Sequence, residues 1–177
     1  MKKLIVLSFC FLAFSMHVEG QIVKFGIKAG ANFSNLDGNS INSNNLTSYH
    51  VGIMSQIKVL PNFAIQPEAL FSSQGAKVDG ANDFELDYVA VPVLAKFYLI
   101  TDVLSLEAGP QFSFLVNSNL PDTYETQSFD FGAAGGLGLN ITKSFVAQAR
   151  YVVGLSDTSR DAEITNRVFQ ISLGYFF

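Results

Sequence analysis

Strict alternation of apolar and polar residues runs through most of this sequence, and it constrains the fold more than any other feature. In the segment VKFGIKAGANFS the odd-numbered positions from Val23 to Phe33 are apolar, whereas the even-numbered positions are Lys, Gly, Asn or Ser. Successive side chains of a β-strand point to opposite faces, so this pattern predicts a strand with one apolar face. Few windows show the three-to-four spacing of an amphipathic helix. We therefore expect an all-β protein.

The same alternation predicts eight strands in all. Their approximate bounds are 23–34, 49–59, 63–76, 86–99, 104–116, 129–141, 145–155 and 166–177. Three short connections, at 60–62, 100–103 and 142–144, alternate with four long polar ones, at 35–48, 77–85, 117–128 and 156–165. This alternation is typical of hairpins that follow one another in up-and-down order.

Two barrel architectures fit eight such strands: a soluble lipocalin-like barrel with an apolar interior, and a transmembrane barrel with an apolar exterior. The polar faces are rich in Gly and carry few charges, which suits a crowded interior better than a solvated surface. Strands of this length, when tilted, are long enough to cross a bilayer. The sequence favours an eight-stranded antiparallel up-and-down transmembrane β-barrel, with both termini on the periplasmic, short-turn side.

The N-terminal segment has the pattern of a secretory signal peptide. Lys2 and Lys3 precede an apolar run from Leu4 to Met16, which is too short for a spanning helix. We interpret residues 1–20 as the signal peptide and 21–177 as the barrel domain, which places Cys10, the only cysteine, in the removed segment. The formal net charge of −4 and the scattered basic residues argue against a nucleic-acid partner.

The chain stops on an alternating apolar strand, RVFQISLGYFF. The run resembles the C-terminal signature of bacterial outer-membrane barrels, which implies recognition by the barrel-assembly machinery. The residues that carry the resemblance are Phe169, Ile171, Leu173, Tyr175 and Phe177.

Several further motifs resemble one family along nearly the whole chain after residue 20. IQPEALFSSQGAK together with DYVAVPVLAKFY is the most specific part, and GIKAGANFSN, LEAGPQF, FDFGAAGGLGLNI and ARYVVGLSD add to it. These motifs are similar to the PorT-like small outer-membrane β-barrel family of Bacteroidota, a barrel of the OmpX and OmpA type. The resemblance implies localisation in the outer membrane after Sec-dependent export, contact with outer-membrane lipid, and no catalytic motif.

Charged residues on the polar faces predict an ion-pair plug inside the barrel. A charge on the lipid face would cost about 2–4 kcal/mol for Lys or Arg at the midplane, so inward placement is preferred. Once inside, the charges must pair with one another. We expect Glu68 and Glu107 to bridge Lys28, Lys96 and Arg150, with Lys58 nearer the short turns. Independently hydrated linings are the alternative.

The sequence offers little support for an enzyme, a metal site or a cofactor site. His50 has the inward phase at the loop end of its strand, whereas Ser55 has the opposite phase and Ser48 belongs to the loop, so no Ser–His pair is expected at short range. We interpret His50 as a polar lining residue. The loop acids Asp79, Asp83, Glu85, Asp157, Asp161 and Glu163 do not have EF-hand spacing and are interpreted as solvated.

Three classes of function are left: a structural or surface-interaction barrel that works through its extracellular loops, an accessory component of a type IX-like secretion system, and a small-solute porin. The first is favoured because recognition usually resides in long loops on a rigid scaffold. We expect a non-enzymatic monomer with a plugged interior. The first loop carries Asn35, Asn39, Asn42, Asn44 and Asn45 without an aromatic cluster and does not identify a ligand.

Overall fold

A computed structural model describes residues 22–37, 43–44, 46–78, 84–118, 129–155 and 165–177. These residues form a closed barrel of eight long antiparallel strands. The strands are β1 Val23–Asp37, β2 Leu46–Leu60, β3 Phe63–Val78, β4 Phe84–Ile100, β5 Leu104–Ser118, β6 Phe129–Asn140, β7 Phe145–Gly154 and β8 Thr165–Phe176. A two-residue strand, Ser43–Asn44, pairs with the end of β3. In the described part of the chain, no helix is long and apolar enough to span a membrane.

Each strand pairs with its neighbours in sequence, and β1 pairs with β8 to close the sheet. Register partners followed once round the barrel from Val23 lead back to β1 at Phe33, ten residues further along. The intermediate partners are Ile57, Ile65, Ala95, Ala108, Gly135, Tyr151 and Phe169. A stagger of ten residues over eight strands corresponds to strands tilted by about 40° from the barrel axis.

The predicted all-β barrel, its strand order and its short turns are confirmed. The four predicted long connections are each too long. β1 continues to Asp37 and β2 begins at Leu46, and strands also extend into 77–85, 117–128 and 156–165. The alternation fades there, but the backbone pairing continues, with Ser34 opposite Leu46 and Asp37 opposite Thr165. Hydrogen bonding between neighbouring strands thus extends the sheet beyond its apolar pattern. The predicted signal peptide, residues 1–20, lies outside the described residues.

The apolar faces point outward, as predicted. Ile53, Leu173 and Phe25 are examples, with 64, 61 and 58% of the residue exposed. Large apolar residues exposed in this number on seven of the eight long strands would aggregate in water, whereas they suit a barrel surrounded by hydrocarbon.

The interior is not uniformly polar, which the sequence analysis did not anticipate. Two clusters of buried apolar residues lie inside the barrel. One contains Leu94, Ala134, Val152 and Val168, and the other contains Met54, Val146 and Phe176. All seven share the inward phase with polar or charged residues of the same strands, so a binary pattern could not separate them. The lumen is therefore filled by apolar as well as polar side chains.

The orientation of the barrel leads to a first prediction. A cysteine introduced at Asp122, in a long connection, should react with an impermeant maleimide on whole cells, whereas one at Asn62, in the tight turn between β2 and β3, should react only after the outer membrane is permeabilised. Fluorescence of the labelled band on a gel measures both. Labelling at Asn62 in intact cells would reverse the orientation.

Candidate functional site

Five charged side chains meet in the middle of the barrel, and we call them the interior cluster. They are Lys28 on β1, Glu68 on β3, Lys96 on β4, Glu107 on β5 and Arg150 on β7. The alternation of each strand directs these positions inward. Each residue is 4% exposed or less. The structure thus brings together all five residues that the sequence analysis singled out, from five of the eight strands.

Glu68 is the acceptor at one side of the cluster. Its two carboxylate oxygens lie 2.8 and 2.9 Å from the guanidinium nitrogens of Arg150, in a bidentate pair. The ammonium of Lys28 lies 3.3 Å from the same carboxylate. Such a planar fork is the strongest geometry available to a carboxylate. Glu68 therefore balances two cations.

Glu107 occupies the corresponding position on the other side. Its carboxylate lies 2.9 Å from the ammonium of Lys96 and 3.6 Å from Arg150 Nη2. The amide of Gln148 donates to both oxygens, at 2.8 and 2.7 Å. Arg150 consequently links the two carboxylates across the lumen.

A glutamine that the sequence analysis missed closes the network into a ring. Gln66 Nε2 donates to Glu68 at 2.6 Å, and Lys96 Nζ donates to Gln66 Oε1 at 3.0 Å. The ring runs from Glu68 through Arg150, Glu107, Lys96 and Gln66 back to Glu68. Gln66 has the inward phase two residues before Glu68, so its parity was a usable signal.

A glycine on β6 makes room for one of these carboxylates. Gly138 is the register partner of Ser105, and a Cβ atom built on it would collide with the carboxylate of Glu107 and lie 2.7 Å from Ser105 Oγ. Any larger residue would displace Glu107 from Lys96. The Gly-rich interior predicted from the sequence has a direct steric function here.

A second polar layer surrounds His50 on β2. His50 Nδ1 lies 2.7 Å from Asn32 Oδ1, and Nε2 lies 2.8 Å from Ser172 Oγ. The expectation that His50 has no Ser partner at short range in the sequence holds, but Ser172 reaches it from 122 residues away. Gly30 is the register partner of both His50 and Ser172, and its missing side chain leaves room for the imidazole to cross between them.

The order Ser172, His50, Asn32 matches that of a nucleophile, a base and an orienting group. All three residues are 2% exposed or less, so a substrate has no route to Ser172 Oγ in this conformation. The Asn32 amide also donates to Ser72 Oγ and to the carbonyl oxygens of Tyr49 and Ser73. We interpret the layer as a set of hydrogen bonds that ties β8, β1, β2 and β3 together.

The other predicted residues lie elsewhere. Lys58 pairs with Asp102 at 2.6 Å near the short turns, outside the interior cluster. The C-terminal residues Phe169, Ile171, Leu173, Tyr175 and Phe177 all point outward on β8 or directly after it, with 38–61% of each residue exposed. The loop acids Asp79, Asp83, Asp157, Asp161 and Glu163 lie outside the described residues, whereas Glu85 lies in β4 and not in a loop. Within the described ranges, no three His, Cys, Asp or Glu side chains are grouped in a way that could hold a metal ion.

Comparison with known proteins agrees with this geometry. Residues 20–160 match the family described as outer membrane protein beta-barrel domain. The chain belongs to this family. It is an outer-membrane β-barrel, and the corresponding part of the predicted resemblance is confirmed. No curated protein sequence matches the chain.

Several solved structures share the fold. The crystal structure of Ail, the attachment invasion locus protein of Yersinia pestis, aligns with a TM-score of 0.60 at 15% identity, covering 89% of this chain and 100% of Ail. Neisserial surface protein A aligns at 0.59 and 13% identity, covering 86% and 97%. Outer membrane protein W of E. coli aligns at 0.51 and 14% identity, covering 90% and 100%. At these identities the likeness establishes the fold alone.

Proposed function

We propose that this protein is a non-enzymatic, non-conducting outer-membrane barrel that acts as a structural or surface-interaction protein through its long loops. The observation that carries the proposal is the interior cluster, which crosses the lumen from β1, β3, β4, β5 and β7 and is almost completely buried. A barrel of eight strands encloses a space just wide enough for side chains. Solutes would have to displace paired charges to pass. Contact with a partner is therefore expected at the ends of the barrel and not inside it.

The composition of the long loops indicates the charge of a partner that they could bind. Residues 38–42, 79–83, 119–128 and 156–164 contain seven carboxylates and a single basic residue, Arg160. The acids are Asp79, Asp83, Asp122, Glu125, Asp157, Asp161 and Glu163. Like charges repel at short range, and an acidic surface attracts basic partners and speeds their association. We expect a partner with a basic contact surface. Ail has been crystallised with the heparin analogue sucrose octasulfate, and a polyanion of that kind does not suit these loops.

Two other functions also have support from the sequence and the architecture. The motifs similar to PorT-like proteins support a secretion role. A barrel with an apolar exterior and polar residues inside would also allow a small porin if the interior cluster opened. We expect the purified protein to show no stable unitary current in planar bilayers. Glu68→Ala, which removes the acceptor of Lys28 and Arg150, should admit flickering currents. Steady conductance of the wild-type protein would make the small porin the better proposal.

The loop proposal is tested by complementing a deletion strain with three versions of the gene. These are the wild type, Glu68→Ala, and a barrel in which residues 119–128 and 156–164 are replaced by short Gly-Ser turns. Photo-crosslinking from Asp122 on whole cells should capture a partner in the first two strains. In the third, a crosslinker on a remaining loop, at Asp83, should capture none. Comparison of the secreted proteomes tests the secretion role. If the deletion strain secretes fewer proteins and the loop-trimmed barrel restores their secretion, the secretion role would be favoured over the loop proposal.

A further inference from the structure

An open cavity of about 830 Å³ lies at the short-turn end of the barrel, and we call it the turn-end vestibule. It is lined by the first residues of β1, the last residues of β2 and β6, and the turns that follow β4 and β6. Phe176, which is 3% exposed, lines it and packs inside the barrel with Met54 and Val146. None of the five residues of the interior cluster lines the vestibule, so the two are separate sites.

Three lysines and one aspartate line the turn-end vestibule. Lys58 is already paired with Asp102 at 2.6 Å. The backbone of Asp102 adopts a left-handed conformation, with φ at 57°, and its carbonyl oxygen accepts a hydrogen bond from Asn140 Nδ2 at 3.0 Å. Among the described residues, neither Lys24 nor Lys143 has an ion-pair partner. The vestibule thus has two ammonium groups to offer.

We propose that the turn-end vestibule binds a phosphate group. Two ammonium groups at one cavity favour an anion that carries more than one negative charge, and Lys is a common point-charge partner of phosphate. Gln56, which is 6% exposed at the inner wall, adds amide hydrogen-bonding groups. The volume lies within the range of small-ligand sites.

The rim of the vestibule suits a phosphate attached to a lipid as well as a free one. It consists of exposed apolar residues that also belong to the outward surface, namely Ile22, Val59, Leu60, Val103 and Ile141. An anionic phospholipid could place its phosphate beside Lys24 and Lys143 while its acyl chains lie along the outer wall. A soluble phosphate monoester would use the same two ammonium groups without the rim.

The test uses the full-length mature barrel in a maltoside detergent, which carries no phosphate. Binding of inorganic phosphate and glycerol 1-phosphate is followed by titration calorimetry. A second arm places the barrel in nanodiscs of phosphatidylcholine with or without phosphatidic acid, and native mass spectrometry counts retained lipid. Lys24→Gln/Lys143→Gln should weaken binding by about ten-fold or more. The matched control is Lys77→Gln/Arg160→Gln, which removes one charge next to the last residue of β3 and one from the long connection 156–164 of the sequence, and should bind like the wild type.

Each outcome decides the proposal. Binding of the soluble phosphates that depends on Lys24 and Lys143 supports a soluble ligand, and lysine-dependent retention of phosphatidic acid alone supports a lipid headgroup. Equal binding by the double variant and the control, or no binding by the wild type in either arm, would overturn the proposal. Heat-modifiable migration on gels verifies that every variant is folded. The loop proposal is independent of this result, because its variants leave the vestibule unchanged.

Discussion

Replacing Glu68 with Gln is expected to destabilise the barrel far more than replacing Lys28 with Met, although each change breaks the same ion pair. The interior cluster contains three cations and two carboxylates. Without Glu68, the bidentate partner of Arg150 is lost and three cations face the single carboxylate of Glu107. Buried charges left without partners are costly, and breaking a buried pair from one side typically costs about 3–5 kcal/mol.

Removal of Lys28 has the opposite effect on the charge balance. Two cations then face two carboxylates, and Glu68 keeps both hydrogen bonds to Arg150. The methionine side chain has a similar length and brings no polar atom into the lumen. The lost contact is the longer one, at 3.3 Å. We therefore expect Lys28→Met to cost at least about 2 kcal/mol less than Glu68→Gln.

Urea unfolding of the two variants in lipid vesicles, followed by tyrosine fluorescence and heat-modifiable migration, measures the difference. Lys58→Met is the matched control, because its pair with Asp102 is partly exposed at the barrel end and should contribute about 0–1 kcal/mol. Equal losses for Lys28→Met and Glu68→Gln would show that the cluster is stabilised by individual contacts and not by its charge balance. The independently hydrated lining considered from the sequence would then be the better description.

Much of the fold could be predicted because a transmembrane barrel has to satisfy two rules at once. Every backbone group must pair with a neighbouring strand, and every outward side chain must tolerate hydrocarbon. These rules impose the period of two on all eight strands, so parity alone placed Lys28, Glu68 and Arg150 inside. Burying a charge beside an opposite charge costs less free energy than burying it alone, which indicated that these side chains would contact one another.

The details of the interior depend on register, which parity does not supply. Ser172 reaches His50 only because Gly30 lies opposite both of them in neighbouring strands. A shift of β8 by two residues would keep every side chain on its face and still separate that pair. The same limit applies to Gln148, because its contact with Glu107 joins β7 and β5, which are not neighbours in the sheet. The function of the loops does not follow from parity or from register. Their acidic composition predicts the charge of a contact surface, whereas the identity of the partner depends on contacts that composition does not determine.

Replacing Phe177 with Ser is expected to prevent insertion of most of the protein while changing the stability of the inserted fraction little. The backbone amide of Phe177 donates to the carbonyl oxygen of Phe25 at 2.9 Å, and this hydrogen bond does not need the ring. The ring itself points outward, in an edge contact with Tyr175 at 5.8 Å between centroids. Removing it therefore leaves the closing pairing of β1 and β8 intact, whereas a terminal aromatic residue read by the assembly machinery would be lost.

Phe145→Ser provides the matched control for this last prediction. Phe145 is also an outward aromatic residue at the short-turn end, it contacts the same Tyr175 ring at 5.0 Å, and its exposed fraction is 50% against 52% for Phe177. If the terminal position acts as an assembly signal, Phe145→Ser should insert normally, whereas Phe177→Ser should accumulate in a form that does not show heat-modifiable migration. Both substitutions remove a similar ring contact and a similar aromatic anchor at the membrane interface. Similar insertion of both variants would therefore mean that the two rings act only through packing and lipid contact, and not as an assembly signal.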